Sequence, residues 1–422
     1  MELIKIKKMK VLWFSNCILG NTESKGSGSW LFGMKDILSS SVELYNITNS
    51  NIDKVSHNKY NDFEEYVIPN YKIKNGLPNL GNISNIKDIV DKIKPDIIHI
   101  WGVESYWGLL FSRNHIQGKY LIEIQGVLSS CHNVYYGGMS PSQIYSCFNI
   151  KELIKFNSFL PFQRSNTLKN IKSENEIIFN SNNISTQSDW VRNQIKFKTN
   201  KNVNIFNTLI PIRKTFYNSE KWIKIHNRKT TIIYTSFSYL VPFKGFHILL
   251  ESISLLKKKH HDVMLNVGGF NINSISFYRQ DGYLKYLLSK IAKLNIVNNV
   301  TFLGSLNEKE VCEQLLNADV YVNPSFVESY SVASAEALYL GVPSVLSYAG
   351  AMPDFSKEKQ VALYYSPMDY SDLASKINNL INDNEFSKSL SNDSIGIFNH
   401  LFDSQHIKNT QLSIYNQIKN ND

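Results

Sequence analysis

No stretch of this 422-residue chain reaches 18 consecutive apolar residues, so no transmembrane helix is expected. The basic start, M-E-L-I-K-I-K-K-M-K, runs into a strand-like segment with no long apolar core, so no secretory leader is expected either. Cysteine is scarce. Cys17, Cys131, Cys147 and Cys312 lie far apart with no C-x-x-C pair, which fits reduced thiols in a cytoplasmic protein. There is no D-x-D motif and no His/Cys cluster at metal-ligand spacing, so no metal site and no cofactor are expected. The early glycines read G-S-G-S-W-L-F-G, not G-x-G-x-x-G, which argues against a dinucleotide. Net charge is +9, from 45 basic and 36 acidic residues, yet no nucleic-acid-binding signature accompanies it. Anionic substrates, an anionic membrane surface or a simply solvated lysine-rich face all fit that charge.

What is present is an ordinary globular composition, 43% hydrophobic and 19% charged, in a chain long enough for two cores. The stretch that organises it runs from Asp319 to Pro343. Val320, Tyr321 and Val322 read as a buried strand. Asn323-Pro324-Ser325 ends that strand, because proline cannot donate to a ladder. Glu328 and a serine-rich turn (Ser329, Tyr330, Ser331) lead into a helix from Val332 to Leu340, closed by Gly341 and stopped by Pro343. Glu336 lies inside the helix, eight residues after Glu328. A helix N-terminus with its free N–H groups suits phosphate, and the two carboxylates flank it. A nucleotide-sugar has the matching shape. A capped surface helix with two solvated glutamates is the plainer alternative from spacing alone.

E-x7-E followed by A-L-Y-L-G-V-P-S-V resembles the donor-site motif of glycosyltransferase family 4, whose members are retaining enzymes of the GT-B fold. V-P-F-K-G-F-H-I-L-L-E-S-I (Val241 to Ile253), V-T-F-L-G-S-L (Val300 to Leu306) and D-V-Y-V-N-P-S resemble further segments of that family, in the same order. The resemblance implies an α/β architecture: two Rossmann-like domains facing across a cleft, and a C-terminal helix crossing back to the first. The expected division is 1–210 for the acceptor side, 211–400 for the nucleotide-sugar side and 401–422 for the returning helix. It implies a hexosyltransferase-type enzyme that takes a nucleotide-sugar donor and a glycan or lipid-linked acceptor in cell-surface polysaccharide synthesis. The place of action would be the cytoplasm, at the inner face of the membrane. A nucleotide-sugar 2-epimerase or a non-catalytic GT-B protein of a polysaccharide assembly complex shares the architecture.

Residue by residue, the resemblance assigns the sugar end to Glu328 as the catalytic group and the ribose to Glu336. Ser329, Tyr330 and Ser331 meet the phosphates, and Lys244 reaches them as a point charge. Gly268 passes the nucleotide, and Gly28 lets the first domain approach the donor. Two departures stand out. Many family members carry histidine where this chain has Gln125, and glutamine can hold a sugar hydroxyl but cannot act as an acid or base. The arginine usual five or six residues before the lysine falls on Tyr239 and Ser238.

Elsewhere the pattern predicts strands at Met9 to Ser15, Val42 to Ile47, Asp96 to Gly102, Tyr120 to Ile124, Ile177 to Phe179 and Val203 to Phe206. Helices are expected at Trp30 to Leu38 and from a Ser84 cap to Lys94. Residues 49–79 read as polar and irregular, and 208–229 as the interdomain linker. His99 reads as a structural histidine. Residues 129–172 mix aromatic and basic side chains (Phe148, Lys151, Lys155, Phe156, Phe159, Phe162, Arg164, Lys169). That mixture fits a core face with a solvated basic side, or a helix lying on an anionic membrane.

Overall fold

The computed structural model describes residues 8–20, 28, 30–148, 159–200, 202–225, 228–259, 262–270, 272 and 281–421. The first sheet has eight strands: β1 (Met9–Phe14), β2 (Val42–Ser50), β3 (Ser56–Lys59), β4 (Phe63–Pro69), β5 (Ile97–Trp101), β6 (Tyr120–Ile124), β7 (Asn183–Thr186) and β8 (Asn204–Asn207). Their order is β3-β4-β2-β1-β5-β6-β7-β8. Only the edge strand β3 is antiparallel to its neighbour. The second sheet holds β9 (Thr231–Ser236), β10 (Val263–Gly268), β11 (Val300–Gly304), β12 (Val320–Asn323), β13 (Ser344–Ser347) and β14 (Leu363–Tyr365). It is wholly parallel, in the order β11-β10-β9-β12-β13-β14.

Both sheets are wound in two directions from a central strand, β1 or β9. The strand order reverses between β1 and β5, and again between β9 and β12, so each sheet opens a crevice at the carboxyl ends of those strands. Helices cover both faces, which is why Val11, Leu12, Trp13 and Phe14 form an unbroken apolar run, all fully buried.

The last helix, Ser404–Asn420, returns to the first domain. Fully buried Tyr415 accepts from Trp13 Nε1 at 3.1 Å and meets His99 Nδ1 at 2.8 Å. Lys119 Nζ donates to the Lys419 and Asn421 carbonyls, and Lys419 pairs with Asp96 at 3.0 Å. The domains also meet directly. Ser188 Oγ donates to the Ser329 carbonyl at 2.7 Å, the Trp190 amide donates to Asp354 at 3.1 Å, and Lys357 pairs with Asp189.

Three local expectations are corrected. Residues 49–79 are not irregular: they carry β3 and β4, and β4 (F-E-E-Y-V-I-P) hides Glu65 completely. The polar letters misled because Glu65 is satisfied locally, accepting from the Leu19 and Gly20 amides and from Asn46 Nδ2. The next helix spans Leu80–Ile93 and is capped by Asn79, whose side chain accepts from the Asn82 amide, not by Ser84. Ile177 to Phe179 is the end of a long helix, Leu160–Asn180, and the strand is β7. A three-residue apolar window cannot display a 3.6-residue period; Ile177 and Ile178 are fully buried in the core of the first domain.

Candidate active site

Lys244 and Glu328 meet at the switch point of the second sheet. Lys244 closes a short 3-10 turn after β9, at Pro242–Lys244, and Gly245 behind it has φ +72°. A Cβ on Gly245 would stand 1.9 Å from the Pro324 carbonyl oxygen, so only glycine lets this loop press against the end of β12. Lys244 Nζ donates to Glu328 Oε1 at 2.6 Å, and Ser325 Oγ donates to the same oxygen at 2.7 Å. Among the described residues both contacts fall on Oε1, which leaves Oε2 for a ligand. Burial pulls the Lys244 ammonium down, but the Glu328 charge and hydrogen bond outweigh it and hold its pKa above the ordinary value.

Glu328 is also fixed through its backbone. The Ala351 amide donates to its carbonyl at 2.8 Å, and a Cβ on Gly350 would collide with that carbonyl at 2.2 Å. The helix Val332–Leu340 begins just beyond, with Ser331 as its N-cap at φ +70°, ψ 78°. A non-glycine residue in that region carries strain of about 1–2 kcal/mol. The cap compensates: Ser331 Oγ accepts from the Ser334 amide at 3.3 Å and from Asn323 Nδ2 at 2.9 Å. The Ser331 hydroxyl is therefore engaged within the protein. Tyr330 packs its ring edge-on against Phe355 at 5.5 Å, and the Ser329 carbonyl is taken by Ser188.

Glu336 sits inside that helix, 1% exposed, with both oxygens bound by Arg213 at 2.6 Å each. Arg213 lies in the 208–229 segment between the sheets, where the sequence reading placed only a linker. Gly28 has φ +87°, and a Cβ there would touch Cys17 Sγ at 2.8 Å; residues 21–27 and 29 of its loop lie outside the described residues. Gly268 ends β10 against the Tyr234 hydroxyl, which a Cβ would meet at 2.5 Å.

On the facing domain, Gln125 follows β6 and is half-buried. Glu104 lies beside it, both side chains approaching Gly102, and neither Glu104 nor the nearby Cys131 is given a role by the sequence. The Cys131 thiol is pushed up to about 12 by burial, and it feels the charges of Lys244, Glu328, Glu174 and Glu104. Tyr239, 52% exposed, feels Lys244, Cys131, Glu328 and Glu104. Side chains of both domains therefore surround one space. His247 lies behind it, its Nε2 2.9 Å from the Gly137 carbonyl oxygen and its Nδ1 2.9 Å from the Tyr283 hydroxyl. A separate cavity of about 590 Å³ opens between the domains near Gly20, Lys35, Tyr60, Lys214 and Glu308, away from the Lys244–Glu328 pair.

The sequence and the fold have counterparts. Residues 218–395 match the family described as glycosyl transferases group 1. The match covers the domain that holds Lys244, Glu328 and Glu336. Protein CapJ of Staphylococcus aureus is 30% identical over 145 residues, 34% of this chain and 34% of that protein. The uncharacterized glycosyltransferase YqgM of Bacillus subtilis is 25% identical over 186 residues, 44% of this chain and 49% of that protein. The chain thus spans less than half the length of these curated relatives. Likeness of fold runs along nearly the whole chain. Sucrose-phosphate synthase from Thermosynechococcus elongatus superposes with a TM-score of 0.71 at 14% identity, over 97% of this chain and 99% of that one. Anabaena HepE, solved in complex with UDP and glucose, gives 0.65 at 15% identity, over 97% of this chain and all of that one. The fold is GT-B, with the returning C-terminal helix included.

Among the described residues no group of three or more His, Cys, Asp or Glu side chains is placed to hold a metal ion. Among the same residues no helix is long and apolar enough to cross a membrane.

Proposed function

We propose that this chain is a retaining glycosyltransferase that moves a sugar from a nucleotide-sugar to a glycan or lipid-linked acceptor in cell-surface polysaccharide synthesis. The observation that carries the reading is the 2.6 Å pair of Lys244 with Glu328 at the switch point of the second sheet, beside the start of the Val332–Leu340 helix. The donor diphosphate lies against Lys244 and that helix start, and the sugar lies at Glu328. As the bond from the anomeric carbon to the phosphate oxygen breaks, negative charge grows on the leaving oxygen. A cation and a helix N-terminus already pointed there stabilise it without reorganisation. Positive charge grows at the anomeric carbon, and the carboxylate of Glu328 offsets it. Gln125 holds a sugar hydroxyl from the facing domain. Glu336, oriented by Arg213, accepts from the ribose through its remaining lone pairs. Lys244 carries the countercharge for the diphosphate, so this reading uses no metal ion and no cofactor.

The test incubates the purified protein with UDP-, GDP- and dTDP-sugars and scores nucleoside diphosphate release, epimerisation and binding. Release with one donor supports the reading. Interconversion of free donor sugars points to a 2-epimerase, and tight binding without turnover points to a non-catalytic assembly protein.

The acceptor side of the reading includes contact with an anionic membrane surface. Tyr145, Phe148, Phe162 and Leu168 are exposed near Arg164, Lys169 and Lys172. Lys151, Lys155 and Phe156 of the same stretch lie outside the described residues. Sedimentation with phosphatidylglycerol vesicles, but not phosphatidylcholine vesicles, is the expected result.

A further inference from the structure

We propose that Glu104 is the proton acceptor for the incoming nucleophile, working from the first domain across the cleft from Lys244 and Glu328. The inference rests on the glycosyltransferase reading above and adds a residue with no counterpart in the motifs that led to it.

The argument starts from position. Glu104 follows β5, which lies beside β1 at the switch point of the first sheet, where an open α/β sheet receives its ligand. Two glycines make room for its carboxylate. A Cβ on Gly102, at the end of β5, would lie 2.2 Å from Glu104 Oε2; one on Gly126, at the end of β6, would lie 3.2 Å from Oε1. The carboxylate thus rests over the carboxyl ends of two adjacent central strands. Gln125 Oε1 is 3.6 Å from that same Gly102 position, so glutamine and glutamate share the spot. The charge of Glu104 reaches both Cys131 and Tyr239, and both also feel Lys244 and Glu328. These groups lie within range of one another's charge.

The other candidates for the proton are spent. Glu328 is held through Oε1 by Lys244 and Ser325 and, in the reading above, is committed to the anomeric carbon. Glu174, on the Leu160–Asn180 helix, accepts from the Leu128 amide at 2.6 Å and from Lys198 at 3.2 Å. Gln125 has no proton-accepting form at neutral pH. Glu104 makes no ion pair among the described residues; the residue keeps solvent exposure, while the walls of the cleft around it desolvate the carboxyl. Its carboxyl is pushed up to about 7, first by desolvation in the cleft and then by the charge of Glu174, against the pull of its own amide and that of Val103. A base with that pKa works best near neutral pH.

The step balances. The O–H proton of the acceptor passes to a Glu104 oxygen. The freed oxygen pair forms the bond to the anomeric carbon on the face from which the diphosphate departs, as the retaining reading requires. The bond from that carbon to the phosphate oxygen breaks, and its pair stays on the nucleoside diphosphate beside Lys244. Glu104 then returns its proton to cleft water. With water as nucleophile the same balance gives donor hydrolysis.

The experiment follows nucleoside diphosphate release from UDP-, GDP- and dTDP-sugars with water as nucleophile, from pH 5 to 9, in wild type, Glu104→Gln and Glu104→Asp. The donor Kd is measured by calorimetry in parallel. In wild type the rate should rise with pH along a limb centred near 7. Glu104→Gln should lower kcat roughly 10²- to 10⁴-fold and flatten that limb, with the donor Kd unchanged. Glu104→Asp should restore part of the rate together with a limb. A wild-type rate and limb in Glu104→Gln overturns the inference and leaves the glycosyltransferase reading standing. So does a rise in donor Kd that accounts for the whole loss. A wild-type protein that neither binds nor cleaves any of these sugars overturns the glycosyltransferase reading, and this inference with it.

Discussion

Arg213 grips Glu336 through two parallel hydrogen bonds of 2.6 Å, Nε to Oε1 and Nη2 to Oε2. The partners stand 123 residues apart, one between the sheets and one inside the helix of the donor motif. Burial pulls the guanidinium down, but the Glu336 charge and hydrogen bonds keep its pKa above the ordinary value. The pair fixes the carboxylate before any ligand arrives. It also ties the segment between the sheets to the Val332–Leu340 helix.

Breaking one side of that pair should be costly. Arg213→Ala leaves a buried carboxylate without its partner, and losses of about 3–5 kcal/mol are typical. Urea denaturation should show the midpoint falling with little change in slope. The double variant Arg213→Met, Glu336→Leu should recover part of the loss, because neither charge is then stranded. An Arg213→Ala protein as stable as wild type would mean the pair is formed but energetically idle.

His247 should make stability depend on pH. Burial holds its pKa down at about 4, against an ordinary value of 6.5, and Lys290 adds to the effect while the Gly137 contact opposes it. Between those values the unfolded chain binds more protons than the folded one, so stability rises with pH. The contribution is complete above 6.5 and is lost as pH falls towards 4. Its size is roughly 3 kcal/mol at about 1.4 kcal/mol per pH unit. His247→Gln should flatten that part of the curve, read from denaturation midpoints at pH 4 to 7. Protonation keeps the Nε2–H bond to the Gly137 carbonyl but leaves Nδ1 unable to accept from the Tyr283 hydroxyl, so acid should break the bond that Tyr283 donates. An identical pH slope in the variant would assign the acid sensitivity to other groups.

The second sheet was legible because its strands are short β-branched runs set off by Gly, Pro and Asn. The strand at Val320 to Val322 and the helix Val332–Leu340 fall where the sequence puts them. The region after β2 was not, because Glu65 is buried in a strand and satisfied by amides forty-odd positions earlier. Arg213 was missed for a similar reason: its partner is far away in the chain and its own surroundings have no period. Glu104 gives no local signal at all. It becomes visible only when the glycines after β5 and β6 are seen to leave space for one carboxylate.

Lys244→Ala should weaken binding of the donor and of its nucleoside diphosphate. A charge-assisted contact contributes about 1.5–3 kcal/mol, so calorimetry should show about a 10- to 100-fold higher Kd. The difference from wild type should shrink as salt rises, because the lost interaction is coulombic. Glu328 also loses its 2.6 Å partner in this variant, so kcat should fall as well. An unchanged Kd would remove Lys244 from the phosphate site.

The two glutamates should fail in different ways. Glu328 stands before the helix, with Lys244 and Ser325 both on its Oε1, and Glu336 stands inside it, held by Arg213. An interaction that strengthens in the transition state lowers kcat when it is removed, whereas one of equal strength in both states raises KM. Glu328→Gln should therefore mainly lower kcat, because a neutral amide cannot offset positive charge at the anomeric carbon. Glu336→Gln should mainly raise the donor KM, because the ribose loses an acceptor that Arg213 had oriented. Glutamine can still accept one hydrogen bond from Arg213, so circular dichroism should report the same fold in both variants. Donor-titrated steady-state kinetics separate the two effects, and NMR of the product should show the donor's anomeric configuration retained. If both variants show wild-type kinetics, the carboxylates only hold the protein together and the chemistry lies elsewhere. An inverted product would leave the GT-B fold in place and remove the retaining mechanism, because the nucleophile would then attack from the face opposite the leaving diphosphate.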